Sequence, residues 1–173
     1  VELRAIGPMG KSFLALHEEE FNWLMYQPAD GAPQVLKGHV GDITAIAFSP
    51  DGKAFASCSS SKDIRLWDLT GTSTILCGHS GPISALAFSS QPRWLLSGAL
   101  DQTARLWDEV GNNKAILVGH KDQITCVAIS RDGNRLATGS KDQLVKVWNP
   151  SGSVRFTLEG HTAPISNLAF SQD

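Results

Sequence analysis

The sequence has no long apolar run and no block of like charges. Its longest apolar runs, such as "AIAF" and "FLAL", are far shorter than the ~20 residues that a membrane-spanning helix requires. Fifteen Lys and Arg residues stand against 17 Asp and Glu residues, for a net charge of -2. We therefore expect no direct binding of nucleic acid or of anionic membranes.

The sequence is also poor in cysteine, and its three cysteines form no Cys-x-x-Cys pair. Cys58, Cys77 and Cys126 lie within apolar runs that resemble strands, which predicts three buried, free thiols in a reducing compartment. An intracellular protein follows from this prediction, in the cytoplasm or, as the alternative, in the nucleus.

Signatures of cofactor and metal sites are missing as well. There is no GxxxxGK[ST] or GxGxxG loop for phosphate groups. No cysteine or carboxylate clusters at metal-ligand spacing with the four histidines that recur about every 40 residues, and His17 belongs to no cluster of candidate ligands. We therefore expect no cofactor and no metal. The 42% hydrophobic and 18% charged residues are typical of a globular chain with a core of its own.

What the sequence does contain is an internal repeat. A Gly-His pair recurs at steps of 40, 41 and 41 residues, and a tryptophan follows three of the pairs at steps of 40 and 41. The pairs begin at Gly38, Gly78, Gly119 and Gly160, and the tryptophans are Trp67, Trp107 and Trp148. A fixed period of this length indicates a repeat architecture.

Within each repeat, apolar residues occupy the positions four, seven and nine after the histidine, as in Ile43, Ile46 and Phe48. Steps of three and then two fit a short strand with a bulge near its start. A turn such as "SPDGK" or "SRDGN" follows, and three more short strands lead to the next Gly-His. The repeat therefore predicts an all-β chain of four-stranded antiparallel sheets.

Gly-His near the start, Trp-Asp near the end and a period of 40 to 41 residues resemble the WD-repeat β-propeller family. The resemblance covers residues 33–173 and implies about four propeller blades, the last of them truncated. Residues 1–32 are expected to form a degenerate blade with Tyr26 in the place of the tryptophan, or an N-terminal extension. A helix over Phe13 to Tyr26 is the competing interpretation.

Propellers of this family most often have seven blades. Because the chain begins with Val1 and stops after "FSQD", where a hairpin turn is due, we expect a piece of a longer polypeptide that forms a larger propeller. A four-bladed unit completed by a second copy or another subunit is the alternative.

The resemblance also implies a role for the recurring polar residues. In the family, an aspartate accepts a hydrogen bond from the Gly-His histidine, which bonds a Ser or Thr that meets the tryptophan ring N–H. Two such structural tetrads are expected: His79, Ser97, Asp101, Trp107 and His120, Thr138, Asp142, Trp148. A buried polar group left unpaired would cost ~1 to 3 kcal/mol.

The first repeat departs from this pattern. His39, Ser57 and Trp67 are in place, but Ser61 stands where the aspartate is expected. His39 should then lack its acidic acceptor unless Asp63 reaches it. We expect a weakened sheet, and we expect Ser61→Asp to stabilise it.

Ser, His and Asp are also the parts of a nucleophilic triad. An enzyme needs one such set with a free hydroxyl, whereas this sequence repeats the set at a fixed period, once with Thr138 in place of Ser, and a tryptophan N–H is expected at each hydroxyl. No catalytic residue is therefore predicted.

The resemblance also implies a partner-facing rim, formed by the residues three and five after each Gly-His histidine and by the residue before the tetrad aspartate. These positions hold Asp42, Thr44, Ser60, Pro82, Ser84, Leu100, Gln123, Thr125, Lys141, Pro164 and Ser166. Most are small and polar, which predicts weak binding. Trp94, at the start of a middle strand, is a further candidate contact, expected to be exposed toward the other rim.

The sequence thus predicts a non-catalytic scaffold on which other proteins assemble, as a subunit of a multiprotein complex. The alternative is a regulatory or sensor propeller within a larger signalling enzyme, a kinase or NTPase, whose chemistry lies outside this segment.

Overall fold

The structure is a computed structural model that describes residues 2–10, 12–16, 22–91 and 93–171. Its strands form four separate four-stranded sheets, and in each sheet the strands are antiparallel and follow chain order. This confirms the expected all-β fold of propeller blades.

The first sheet, blade 1, is formed by described residues between positions 2 and 36, with a short 3-10 helix at Pro8–Gly10. Its strands are β1 (Glu2–Ile6), β2 (Phe13–Leu16), β3 (Leu24–Gln27) and β4 (Gln34–Leu36). The helix alternative over Phe13 to Tyr26 is therefore wrong for the described residues, since both of its ends are strands. Residues 17–21, which include His17, lie outside the described residues.

The other three blades each begin after a Gly-His pair. Blade 2 comprises β5 (Ile43–Phe48), β6 (Ala54–Ser59), β7 (Ile64–Asp68) and β8 (Ser73–Leu76). Blade 3 comprises β9 (Ile83–Phe88), β10 (Leu95–Ala99), β11 (Thr103–Trp107) and β12 (Asn113–Val118). Blade 4 comprises β13 (Ile124–Ile129), β14 (Leu136–Ser140), β15 (Val145–Trp148) and β16 (Val154–Leu158).

The predicted bulge is present near the start of the first strand in blades 2, 3 and 4. Pairing with the second strand skips one residue there, and the skipped residues are Thr44, Ser84 and Thr125. Each is the residue five after the Gly-His histidine. A bulge turns the side chain of the extra residue out of the regular alternation, which becomes important for the contacts between blades.

The hydrophobic core lies between consecutive blades. Trp67 packs in a cluster with residues of blade 1, Trp107 with residues of blade 2, and Trp148 with residues of blade 3. The blades approach so closely that a Cβ added at Gly98 would lie 2.5 Å from the Cγ2 atom of Ile124 in the next blade. Each blade therefore depends on its neighbour for burial.

The face of blade 4 that points away from blade 3 is only partly covered. Ile165, in the strand-free described stretch 159–171, is buried against Cys126 and Val145. Leu117 of blade 3 is fully buried, whereas Leu158, at the same repeat position, is 54% exposed. A larger propeller that covers Leu158 stays a prediction. In the part of the chain that the structure describes, no helix has the length and apolar character needed to cross a membrane.

Candidate functional site

The polar residues of blade 3 form a continuous hydrogen-bonded chain. The Nδ1 atom of His79 lies 2.9 Å from Oδ2 of Asp101, and its Nε2 atom lies 2.9 Å from Oγ of Ser97. The ring N–H of Trp107 donates to the same Ser97 oxygen at 2.9 Å. The structure therefore brings these four side chains together.

Blade 4 repeats this geometry with threonine in place of serine. His120 lies 2.8 Å from Asp142 through Nδ1 and 2.8 Å from the Thr138 hydroxyl through Nε2. Trp148 donates its ring N–H to Thr138 at 2.8 Å. The hydroxyl, the imidazole and the indole are all buried in both blades.

One arrangement of protons gives every polar group in the hydrogen-bonded series of blade 3 a donor or an acceptor. Because the indole N–H of Trp107 can only donate, the Ser97 oxygen accepts from it and donates its own O–H to Nε2 of His79. The Nδ1–H group of His79 then donates to Asp101. This arrangement requires a neutral imidazole, and burial lowers the pKa of His79 despite the opposing charge of Asp101.

Asp101 joins the Gly-His loop to the third strand. Besides His79, it accepts the N–H of Ser80 at 2.8 Å, and the N–H and the hydroxyl of Thr103 at 3.0 and 2.7 Å. Burial opposes ionisation, but the hydrogen bonds from Thr103, His79 and Ser80 outweigh it and hold the pKa of Asp101 at about 2. The carboxylate therefore has a structural role in holding the loop.

In blade 2 the acidic acceptor is present, because Asp63 reaches His39. Nδ1 of His39 lies 3.0 Å from Oδ2 of Asp63, which is the alternative acceptor named from the sequence. Ser57 completes the chain, 2.7 Å from Nε2 of His39 and 2.8 Å from the ring nitrogen of Trp67. Ser61 contributes differently, since its hydroxyl donates to the second oxygen of Asp63.

The hairpin of blade 2 keeps the geometry of the other blades. Lys62, Gln102 and Gln143 occupy the same turn position and share a left-handed backbone, with φ of 73, 70 and 70°. Asp63 holds the repeat position of Thr103, whose hydroxyl lies 3.4 Å from Nδ1 of His79, so its carboxylate reaches His39 from that position without a change of register. The prediction that Ser61→Asp stabilises this blade must be reversed.

We now expect Ser61→Asp to lower the free energy of unfolding by about 1 kcal/mol, because it places a second carboxylate beside Asp63. Ser61→Asn is the matched control, with the same shape and no charge. Urea unfolding of both variants measures the difference. A stabilising Ser61→Asp change would show that Asp63 does not serve as the acceptor in solution.

Three candidate rim residues donate hydrogen bonds to the start of the following repeat, and their role as partner contacts stays a prediction; Thr44 is exposed, and Ser84 and Thr125 are half-buried. The hydroxyl of Thr44 donates to the carbonyl of Ile83 at 2.9 Å, and that of Ser84 donates to the carbonyl of Ile124 at 2.6 Å. Thr125 bonds the carbonyl of Ile165 in the same way. Each is the bulge residue of its blade, and its acceptor lies four residues after the next Gly-His histidine. The recurrence of a hydroxyl at this position was the available sequence signal.

We expect Ser84→Ala to lower the free energy of unfolding by about 1 kcal/mol, because the carbonyl of Ile124 loses its hydroxyl donor. Ser166 holds the same repeat position and makes no hydrogen bond among the described residues, so Ser166→Ala is the control, expected within about 0.5 kcal/mol of the parent. Denaturant titration compares the two. Equal effects would mean that the contact between blades 3 and 4 contributes nothing.

The remaining rim residues lie at one end of the blades, which we call the Gly-His rim. Backbone hydrogen bonds of 2.9 Å join them in pairs, because the residue before the tetrad position donates to the residue three after the histidine. The pairs are Ser60 with Asp42, Leu100 with Pro82 and Lys141 with Gln123. The side chains of Asp42, Ser60, Leu100, Lys141, Pro164 and Ser166 are exposed, and those of Pro82 and Gln123 are half-buried.

Two expectations of exposure or burial are corrected. Trp94 is half-buried and packs against the cluster between blades 3 and 4, so it is no exposed contact. Cys77 is exposed, because it lies beyond the last strand of blade 2, whereas Cys58 and Cys126 are buried free thiols as expected. Burial raises the pKa of Cys58 to about 11 and also raises that of Cys126, which keeps both thiols protonated.

Among the described residues, no three His, Cys, Asp or Glu side chains cluster in a way that would hold a metal ion. The described site thus consists of one set of hydrogen-bonded side chains in each of blades 2 to 4. These sets hold the Gly-His loops, which form the Gly-His rim. Sheets of this kind, repeated with one polar chain in each of blades 2 to 4, define a β-propeller segment.

A family model described as "WD domain, G-beta repeat" matches residues 32–68, 71–108 and 111–149. The chain therefore belongs to the WD40 repeat family. Each match runs from the last strand of one blade through the first three strands of the next, and so includes the Gly-His pair and the Trp of blades 2, 3 and 4 in turn.

Curated relatives match short parts of the chain. The 66 kDa stress protein of Physarum polycephalum is 62% identical over 34 residues, or 20% of this chain. The probable cytosolic iron-sulfur protein assembly protein Ciao1 of Drosophila mojavensis is 47% identical over 38 residues, or 22%. The Notchless protein homolog of Arabidopsis thaliana is 42% identical over 43 residues, or 25%. The matched stretches span 6, 12 and 9% of these relatives' lengths.

Proposed function

We propose that this protein is a non-catalytic, intracellular platform on which a protein complex assembles. The observation that carries the proposal is the full use of each Ser or Thr, His and Asp set within its own sheet. Ser97 has no exposed surface, and its oxygen is engaged by both Trp107 and His79. A hydroxyl in this position has no path to a substrate carbonyl.

Such a scaffold would act by binding partner proteins at its surface. The Gly-His rim presents exposed side chains from successive loops, and backbone hydrogen bonds hold those loops in fixed pairs. Rigid loops on a packed scaffold bind partners with little loss of conformational entropy. Assembly is in the printed name of the Ciao1 relative, and the three free cysteines support an intracellular location.

The rim is tested by affinity purification of the full-length protein followed by quantitative mass spectrometry. We expect a Leu100→Glu, Lys141→Glu variant to lose specific partners, since it reverses one charge and adds another on the Gly-His rim. Lys114→Glu, on the exposed outer strand of blade 3, is the matched control. Partner profiles that are the same for the rim variant and the parent would contradict a role for this rim.

The absence of catalysis has its own test. Ser97→Ala is expected to lower the free energy of unfolding by about 1 to 3 kcal/mol, because it leaves Trp107 and His79 without their shared partner. Any esterase activity of the preparation should be unchanged when measured on folded protein. A loss of activity at unchanged stability would support the rejected nucleophile.

A further inference from the structure

We infer that the Asp30-Gly31 pair, in the loop between β3 and β4 of blade 1, is a site of spontaneous covalent modification at which aspartate converts to isoaspartate. The inference concerns the chemistry of the chain itself and does not depend on the proposed platform function. The sequence contains three Asp-Gly pairs, which begin at Asp30, Asp51 and Asp132. The structure distinguishes the first pair from the other two at both of the groups that react.

The reaction joins the side chain of an aspartate to the backbone nitrogen of the next residue. Here the nitrogen of Gly31 attacks the carbon of the neutral Asp30 carboxyl group. A C–N bond forms, the nitrogen loses its proton, and the carboxyl OH leaves as water, which closes a five-membered succinimide ring. Glycine favours this attack because it has no side chain to obstruct the approach to its nitrogen.

Water then opens the ring at one of its two carbonyl carbons. Addition at the side-chain carbon breaks the new C–N bond and restores aspartate. Addition at the backbone carbon of Asp30 breaks the original peptide bond, so the chain then runs through the side chain and the former backbone carbonyl becomes a free carboxylate. This second product is isoaspartate. One water leaves and one returns, and nothing is oxidised or reduced.

The attacking nitrogen is available only in the first pair. In blade 2 the N–H of Gly52 donates to the carbonyl of Ser49 at 2.9 Å, and in blade 4 the N–H of Gly133 donates to the carbonyl of Ser130 at 2.9 Å. Gly133 is buried and Gly52 is half-buried. Gly31 is exposed, and its N–H makes no hydrogen bond with another described residue.

The carboxyl group of Asp132 is held within its own turn. It accepts the hydroxyl of Ser130 at 2.6 Å and both nitrogens of Asn134, at 3.0 Å from the backbone and 2.9 Å from the side chain. These hydrogen bonds hold the pKa of Asp132 at about 2, so little of the neutral, reactive acid forms. The side chain is also kept away from the nitrogen of Gly133.

Asp51 is held in a similar way, whereas Asp30 is not. Asp51 accepts the hydroxyl of Ser49 at 2.7 Å and the N–H of Lys53 at 3.1 Å, and it lies 3.4 Å from Nε of Arg93. Burial opposes its ionisation, but these contacts outweigh burial and lower the pKa of Asp51. The side chain of Asp30 is exposed and forms no hydrogen bond or ion pair with another described residue.

The loop around Asp30 is anchored without use of the reacting atoms. The side-chain amide of Gln27, at the end of β3, donates to the carbonyl of Pro28 at 3.0 Å and to that of Gly31 at 3.1 Å. Neither contact engages the N–H of Gly31 or the carboxyl group of Asp30. Gly31 has a φ of 126°, whereas the glycines of the other two pairs have φ of 68 and 71°, so this loop differs from the two hairpin turns.

The test measures isoaspartate at all three pairs in one sample of the folded, full-length protein. The protein is incubated at about pH 5, where an ordinary carboxyl group is still partly protonated. Mass spectrometry of a digest, with electron-transfer fragmentation, then distinguishes the two linkages. We expect isoaspartate to form at Asp30 about tenfold faster than at Asp51 or Asp132, where at least two hydrogen bonds must break first. Equal rates at the three pairs, or no isoaspartate at Asp30, would overturn the inference.

The same incubation in guanidinium chloride shows whether the fold causes the difference. Unfolding releases the nitrogen and the carboxyl group of all three pairs, so we expect their rates to become similar. If the rate at Asp30 stayed far above the other two in the unfolded chain, the selectivity would come from the neighbouring residues in the sequence, and the structural inference would be wrong.

Variants locate the reaction. Asp30→Glu should remove the modification, because glutamate would have to close a less favourable six-membered ring, and should leave the rates at the other two pairs unchanged. Ser130→Ala removes a hydrogen bond from Asp132 and should raise the rate there about three- to tenfold. Ser151→Ala, in the next turn of blade 4, is the matched control and should not change that rate. An unaltered rate at Asp132 in Ser130→Ala would show that hydrogen bonds do not protect the pair, and would overturn the inference.

Discussion

Replacement of Trp107 by alanine is expected to lower the free energy of unfolding by about 4 kcal/mol. Trp107 is 2% exposed and packs in the cluster between blades 2 and 3 with Cys58 and Ile64 of the preceding blade. Truncation removes this contact and leaves a cavity that the two rigid sheets cannot close. It also deprives the Ser97 hydroxyl of its indole donor.

Trp107→Phe separates the two contributions. Phenylalanine retains much of the apolar contact but has no N–H, so we expect a smaller loss of about 1 to 3 kcal/mol. Trp94→Phe is the matched control, since Trp94 is half-buried and belongs to no tetrad. Chemical denaturation followed by circular dichroism measures all three variants. If Trp107→Ala lowered the free energy of unfolding no more than Trp94→Phe, the packing of the Trp107 indole between blades 2 and 3 would not stabilise the protein.

Acidification is expected to unfold the blades in two stages, and the first stage comes from histidine. Burial lowers the pKa of His39 and of His79 in the folded state, although Asp63 and Asp101 oppose the shift. As the pH falls below about 6.5, these histidines therefore take up protons in the unfolded chain while they are still neutral in the folded chain. The contribution of the neutral histidines to the free energy of unfolding is complete above about pH 6.5. It is lost as the pH falls from there through their lower pKa in the folded state.

The second stage comes from the tetrad carboxylates. Despite burial, hydrogen bonds lower the pKa of Asp63, Asp101 and Asp142, and they hold that of Asp101 at about 2. The stabilisation is complete above about pH 4 and is lost as the pH falls toward 2, where the folded carboxylates take up protons. After allowance for solvent screening we expect about 1 kcal/mol from each carboxylate.

Asp101→Asn tests the origin of the second stage. The variant should be less stable than the parent at pH 7 and should lose less stability between pH 4 and pH 2, because one titrating carboxylate is gone. Asp122→Asn, on an exposed loop outside the tetrads, is the control and should keep the parent profile. Urea unfolding at a series of pH values provides the measurement. An unchanged profile for Asp101→Asn would assign the acid sensitivity to other groups.

Blade 2 shows how far a sequence pattern can be carried into a site. The constant spacing of Ser57 and Trp67 predicted that the hairpin keeps its register, and the common backbone of Lys62 and Gln102 agrees. The pattern left open whether Asp63 replaces the missing aspartate. The answer depends on the distance between two side chains that are 24 residues apart in the sequence. In the structure, Nδ1 of His39 lies 3.0 Å from Oδ2 of Asp63.

The bulge residues show the opposite limit. The apolar steps of three and two predicted a bulge near the start of each first strand, and the structure has it at Thr44, Ser84 and Thr125. The family resemblance implied that the same residues belong to a partner-facing rim. Their hydroxyls also bond carbonyls about 40 residues away, at the start of the following repeat. The packing of one sheet on the next therefore decides the role of these side chains.

The sequence by itself determined the period, the four short strands of each repeat, their turns and the spacing of the polar set, because these depend on alternation and turn chemistry within a few residues. Only the tertiary structure decided that Trp94 is half-buried and that Cys77 is exposed. Those properties depend on which surfaces meet when consecutive sheets pack, and residues far apart in the chain supply them.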